Sequence, residues 1–123
     1  MDIRKLQKIV VTALEDIKAH DIKVINTTKL TSMFDRIVVA SADSTRQVKA
    51  LAHNVHDKVK EAGGEIIGME GEDSGEWVLV DLGSIVVHVM QPAVRRHYNL
   101  EELWQARPRK LKALQGTAEA AED

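Results

Sequence analysis

The sequence predicts an α/β domain, a mixed five-stranded sheet with helices packed on it. Three observations predict it. Apolar residues shift along the chain from helical three-and-four spacing to runs of β-branched residues and back. The elements read helix, two strands, helix, three strands, helix. The length of 123 residues, with 44% hydrophobic and 29% charged side chains, suits one soluble globular core and leaves little for a second.

Leu6, Ile9, Val10, Ala13, Leu14 and Ile17 share one helical face, and Lys5, Lys8, Thr12, Glu15 and Lys18 fall elsewhere on the wheel, which defines a first amphipathic helix. Asp21 to Asn26 and Arg36 to Ala40 are strands, the second apolar throughout, as in a strand covered on both faces. The segment between them, NTTKLTSMFD, is a polar connection. Ser44 followed by Gln47 is a capping box, so a helix starts there. Its stripe of Val48, Leu51, Ala52, Val55 and Val59 lasts to Ala62, where Gly63 and Gly64 end it.

Glu65 to Met69 is a short strand, followed by the acidic loop EGEDSGE. WVLVD and IVVHVM, separated by LGS, form an antiparallel hairpin turning at Gly83. Pro92 opens a helical turn, and Asn99 with Glu102 marks the start of a short terminal helix, LEELW. The domain is therefore expected over residues 1–106. Residues 107–123, a basic stretch followed by a small and acidic one, are expected to be a disordered tail.

The net charge of −2, from 17 basic and 19 acidic side chains, provides no global field to gather nucleic acid, so any such contact must be local. With no cysteine, disulfides, thiolate nucleophiles and Cys-ligated zinc are excluded. The N-terminus is charged and amphipathic, without a signal-peptide pattern, and nothing approaches the ~20 apolar residues of a membrane span, so a cytoplasmic location is expected.

The cap in VVASADSTRQV is similar to the anion-binding helix start of the nucleotidyltransferase fold. Active enzymes of that fold hold divalent metal with two carboxylates one residue apart on a following strand. VLVDLGS offers Asp81 and no partner two positions away, which argues against catalysis. His53 and His56 lie one helical turn apart but off the apolar stripe and read as solvated surface residues. His88, inside the apolar strand, reads as a hydrogen-bonded structural histidine.

Glu70, Glu72, Asp73 and Glu76 lack the order of a calcium loop, but near a binding face they repel phosphate and suit a basic protein surface. Trp77 opens the hairpin beside this loop, and Leu82 is an apolar residue in its turn. An exposed Trp and Leu there would form an anchor patch for a protein partner.

The linked strings Ser44/Arg46/Gln47, Glu70/Gly71, Trp77/Asp81/Gly83, Val87/His88/Val89 and Tyr98/Leu100/Glu101/Leu103/Trp104 run in order through the chain. With them the sequence closely resembles the ribosomal silencing factor, or iojap, family from about Leu6 to Trp104. The resemblance implies a nucleotidyltransferase-like topology without catalysis. It implies binding to large-subunit ribosomal protein fourteen on the face where the small subunit docks, which blocks subunit joining and represses translation in starvation. Neither metal nor cofactor is implied. The family's binding surface carries over to Trp77 and Leu82, with Tyr98, Leu100, Glu101, Glu70 and Asp81 as neighbours or supports, and the same apolar surface would serve a homodimer. Two rivals stand beside this reading: a metal-dependent nucleotidyltransferase, and an RNA-binding ribosome assembly factor using Arg95, Arg96 and the basic run Arg107, Arg109, Lys110 and Lys112.

Overall fold

In the computed structural model, which describes residues 1–105, both long helices follow their apolar stripes. Helix α1 (Ile3–Asp16) is capped by the Asp2 carboxylate and buries Leu6, Val10, Ala13 and Leu14. Helix α2 (Thr45–Glu61) buries the predicted Val48, Leu51, Ala52, Val55 and Val59. Five strands follow in chain order: β1 (His20–Asn26), β2 (Arg36–Ser41), β3 (Gly68–Glu70), β4 (Trp77–Asp81) and β5 (Ile85–Met90). Two short helices, α3 (Pro92–Tyr98) and α4 (Leu100–Gln105), complete the described residues. The expected tail, residues 107–123, lies outside them.

The strands form one sheet in the order β1-β2-β5-β4-β3. The pair β2–β5 is parallel and the others are antiparallel, so the sheet is mixed as expected. Its central strands are apolar on both faces because both faces are covered there. On the first face, Val38, Ala40, Val78, Val80, Val87 and Val89 meet α1 and α2 in the main core. On the second face, Ile25, Ile37, Val39 and Met90 form a smaller core with Phe34, Trp77, Val94, Leu100 and Trp104.

The capping box is only half formed. The Ser44 hydroxyl accepts from the Gln47 N–H at 3.1 Å, but the Gln47 amide donates to the Ile17 carbonyl at 3.1 Å and ties the end of α1 to the start of α2. The third strand also lies later than the predicted Glu65 to Met69, because residues 65–67 carry the chain from the end of α2 to the sheet edge. There the Ile67 N–H reaches the Asp81 carbonyl at 2.8 Å. Asn99 adopts a left-handed conformation between α3 and α4, which its short polar side chain tolerates. Its carboxamide caps α4 weakly, accepting from the Glu102 N–H at 3.4 Å.

The helices α3 and α4 are too short to persist by themselves. Arg95 holds them in place, donating from Nε to Glu101 of α4 at 2.6 Å and from a terminal nitrogen to the Ser41 hydroxyl of β2 at 2.8 Å.

Among the described glycines, Gly71 is the one least tolerant of a side chain. At φ +89° a Cβ would lie 2.1 Å from the Trp77 carbonyl oxygen, whereas a Cβ on Gly63, at φ +87°, meets nothing. Gly71→Ala is therefore expected to cost about 1–3 kcal/mol in urea unfolding, and Gly63→Ala about 1 kcal/mol from the backbone alone.

Candidate functional site

The second face of the sheet is only partly covered. Side-chain alternation on β4 sends Val78 and Val80 into the main core and Trp77, Leu79 and Asp81 to the other side. Register places Glu70 opposite Leu79, and Gly68 opposite Asp81. Helices α3 and α4 shield the β1–β2 end. Towards β3 a groove of about 590 Å³ stays open, lined by Met33, Phe34, Leu79, His88, Leu103 and Trp104 among others. Phe34 and Trp104 pack edge to face at 5.1 Å and form one wall. Met33 and Ile67, 78% and 60% exposed, stand at its rim.

The predicted site residues separate on this structure. Leu100 and Asp81 line the groove. Glu70 is exposed and sits diagonally across from Asp81 on the same face, giving the β3 side an acidic rim. Tyr98 is 55% exposed and packs on Trp77, ring centroids 4.8 Å apart.

Two expectations need correction. Leu82 is not an exposed anchor: it is 6% exposed and belongs to the main core on the opposite face, because the turn, closed by its N–H on the Ile85 carbonyl, places its side chain among those core residues. Trp77 is half-buried and does not project as a fingertip, because its indole N–H is used on the adjacent strand. Glu101 faces away from the groove, in a separate cleft with Arg95, Arg96, Asp21 and Lys23.

His88 is the structural histidine expected, 6% exposed, with Nδ1 accepting from Trp77 Nε1 at 2.9 Å. Asp81 supports the turn, its carboxylate accepting from the Gly83 N–H at 2.9 Å. Among the described residues no group of three or more His, Asp or Glu is placed to hold a metal ion. His53 and His56 remain on the helix surface, paired with Glu72 at 3.1 Å and Asp57 at 3.0 Å.

Sequence reasoning missed Leu79, Met33, Ile67, Phe34 and Leu103. The signal was present for two of them: in WVLVD and EIIGM apolar residues occupy both alternating sets, so Leu79 and Ile67 had to face the side away from Val80 and Ile66. Met33 and Phe34 sit in a connection read as polar. Its fold comes from the buried Thr27, whose N–H reaches the Asp35 carbonyl at 2.9 Å and whose hydroxyl reaches the Phe34 carbonyl at 3.0 Å.

Burial pushes the His88 imidazole down from 6.5 to about 4. As pH falls, the unfolded chain takes up this proton first. Stability from neutral His88 is therefore full above pH 6.5 and declines between there and about pH 4. Urea unfolding should show a loss of about 2 kcal/mol by pH 5, which His88→Gln largely removes. His20 works in the opposite direction, its pKa raised by hydrogen bonds to Asp21 and Asp43, but it is solvent-exposed and screened.

Comparison with known proteins identifies the family. The family described as "Ribosomal silencing factor during starvation" matches residues 1–123. The chain is 59% identical over 104 residues to the ribosomal silencing factor RsfS of Chromobacterium violaceum, covering 85% of each chain. It is 38% identical over 104 residues to that of Bacillus subtilis, covering 85% of this chain and 88% of the relative. A mouse protein named for mitochondrial assembly of the ribosomal large subunit is 35% identical over 100 residues, 79% of this chain and 44% of its own. A crystal structure of a Chromobacterium violaceum protein superposes with a TM-score of 0.84 at 57% identity, covering 87% of this chain and 89% of that one. The chain belongs to the ribosomal silencing factor family.

Proposed function

We propose that this protein represses translation by docking its open sheet face on large-subunit ribosomal protein fourteen and blocking the approach of the small subunit. Family membership supports the ribosome as target. The observation that carries the choice of face is the groove itself, apolar on its floor and walls and acidic along the β3 rim through Glu70 and Asp81. Such a surface fits an apolar anchor flanked by basic side chains on a protein, and repels phosphate.

Occupancy alone performs this function, and no bond is made or broken. The nucleotidyltransferase-like topology would then be a scaffold whose catalytic pair is reduced to Asp81, a carboxylate already engaged by Gly83. The RNA-binding rival draws on Arg95 and Arg96, but Arg95 is committed to Glu101 and Ser41. In this reading Leu79, Leu100, Leu103 and Trp104 make the contact, Glu70 and Asp81 supply charge, and Trp77 with Tyr98 forms the flank.

Leu79→Asp places a charge on the groove floor and should weaken cosedimentation with large subunits by about 2 kcal/mol or more, roughly 30-fold. It should also abolish the slowing of subunit association seen by light scattering. Lys60→Glu, on the far side of α2, should change neither. Undiminished binding by a folded Leu79→Asp variant would remove the groove from the interface, and binding that required divalent metal would favour the enzymatic rival. A second copy in the groove would appear as a dimer in sedimentation equilibrium that Leu79→Asp dissociates.

A further inference from the structure

The groove is mostly apolar, and its lining carries two polar side chains, Asp81 and, on the floor beside Leu79, His88. Trp77 Nε1 is a donor with no acceptor capacity, so the His88 Nδ1 it contacts at 2.9 Å must be unprotonated, and the neutral ring carries its proton on Nε2. No protein group among the described residues accepts from Nε2, yet no side-chain nitrogen of the described residues is both buried and unpartnered. The Nε2–H therefore reaches solvent, and the space His88 borders is the groove. The arrangement is rigid, with β4 carrying Trp77, β5 carrying His88, and Leu79 paired with His88 across the ladder.

We infer that His88 is the specificity determinant of this groove, its Nε2–H donating to a backbone carbonyl oxygen of the docked protein segment beside that segment's apolar anchor. This rests on the groove being the docking site. A neutral acceptor is favoured over a carboxylate because Asp81 lines the groove and Glu70 flanks it, and both repel a second negative charge. Selectivity follows from desolvation. A partner that fills the groove without an acceptor at this point strips the N–H of water and leaves it unpaired, which costs roughly tenfold in affinity. Burial supports the same picture by keeping the imidazole neutral at physiological pH, so that the ring presents one donor of fixed direction.

Two near-isosteric replacements separate the two ring nitrogens. His88→Asn puts a carbonyl oxygen near the place of Nδ1 and keeps the Trp77 partner while deleting the groove donor. His88→Gln puts an amide N–H near the place of Nε2. Affinity for purified large subunits, read by cosedimentation, should fall about tenfold for His88→Asn and stay within about threefold of wild type for His88→Gln. The Trp77 indole N–H resonance in a proton–nitrogen spectrum should hold its position in the first and move in the second.

Wild-type affinity in a folded His88→Asn variant overturns the inference, as does an equal loss in both variants, which would make His88 a packing residue only. If His88→Asn does not fold, the free wild-type protein decides: a long-range proton–nitrogen spectrum showing the proton on Nδ1 refutes the proposed donor. Failure of Leu79→Asp to weaken binding strikes the docking reading instead, so the two failures are distinguishable.

Discussion

A sheet whose central strands are apolar on both sides needs two covering layers, and the described residues supply only one of full length. Helices α1 and α2, with 14 and 17 residues, cover the first face. On the second, α3 and α4 have 7 and 6. They reach Ile25, Ile37, Val39 and Met90 and stop short of Leu79 and Ile67. Apolar surface left in water forgoes roughly 25 cal/mol per Å² that burial would return. The uncovered strip is thus a standing incentive for association, and under the proposed docking its place in the sheet sets which side of the molecule faces the partner.

The short helices stay on the sheet because polar groups hold what helical propensity cannot. Arg95 links α3 to α4 through Glu101 and both to β2 through Ser41, with side chains only 12% and 22% exposed in the ion pair. Trp77 and His88 do the same across β4 and β5, each satisfying a ring nitrogen that burial would otherwise leave unpaired. Together these two links frame the groove, one tethering the helices that form its wall and the other stiffening its floor.

Elements with a strong period were legible in the sequence. Both long helices, the second cap at Ser44, the two-faced β2 and the hairpin of β4 and β5 follow from apolar spacing and turn chemistry alone. The site was less legible because it depends on which face of the sheet lies uncovered, a property of helix length and docking and not of local pattern. Leu82 shows the difficulty: a leucine in a turn reads as exposed, yet the main core takes it in and leaves it 6% exposed. Phe34 shows the converse, an aromatic in a connection read as polar that becomes a wall once Thr27 folds the loop back. Glu101 belongs to the resemblance but serves the tether, so a motif residue near a site need not face it.

The chemistry available on the open face also limits what can be done there. Phosphoryl transfer needs several carboxylates free to hold metal, and Asp81 spends an oxygen on Gly83 to close its own turn while Glu70 lies on the neighbouring strand. Nucleic-acid binding needs cations beside the contact, whereas the groove rim on the β3 side is acidic and Arg95 is turned into a separate cleft. In the proposed reading the face acts as an apolar trough with a donor in its floor and negative charge at its edge. Under the proposed docking, those features would discriminate among protein surfaces: the trough would demand an oily side chain, the donor an acceptor beside it, and the edge a basic neighbour. A surface that asks for all three at once gains selectivity from how few partners can supply them.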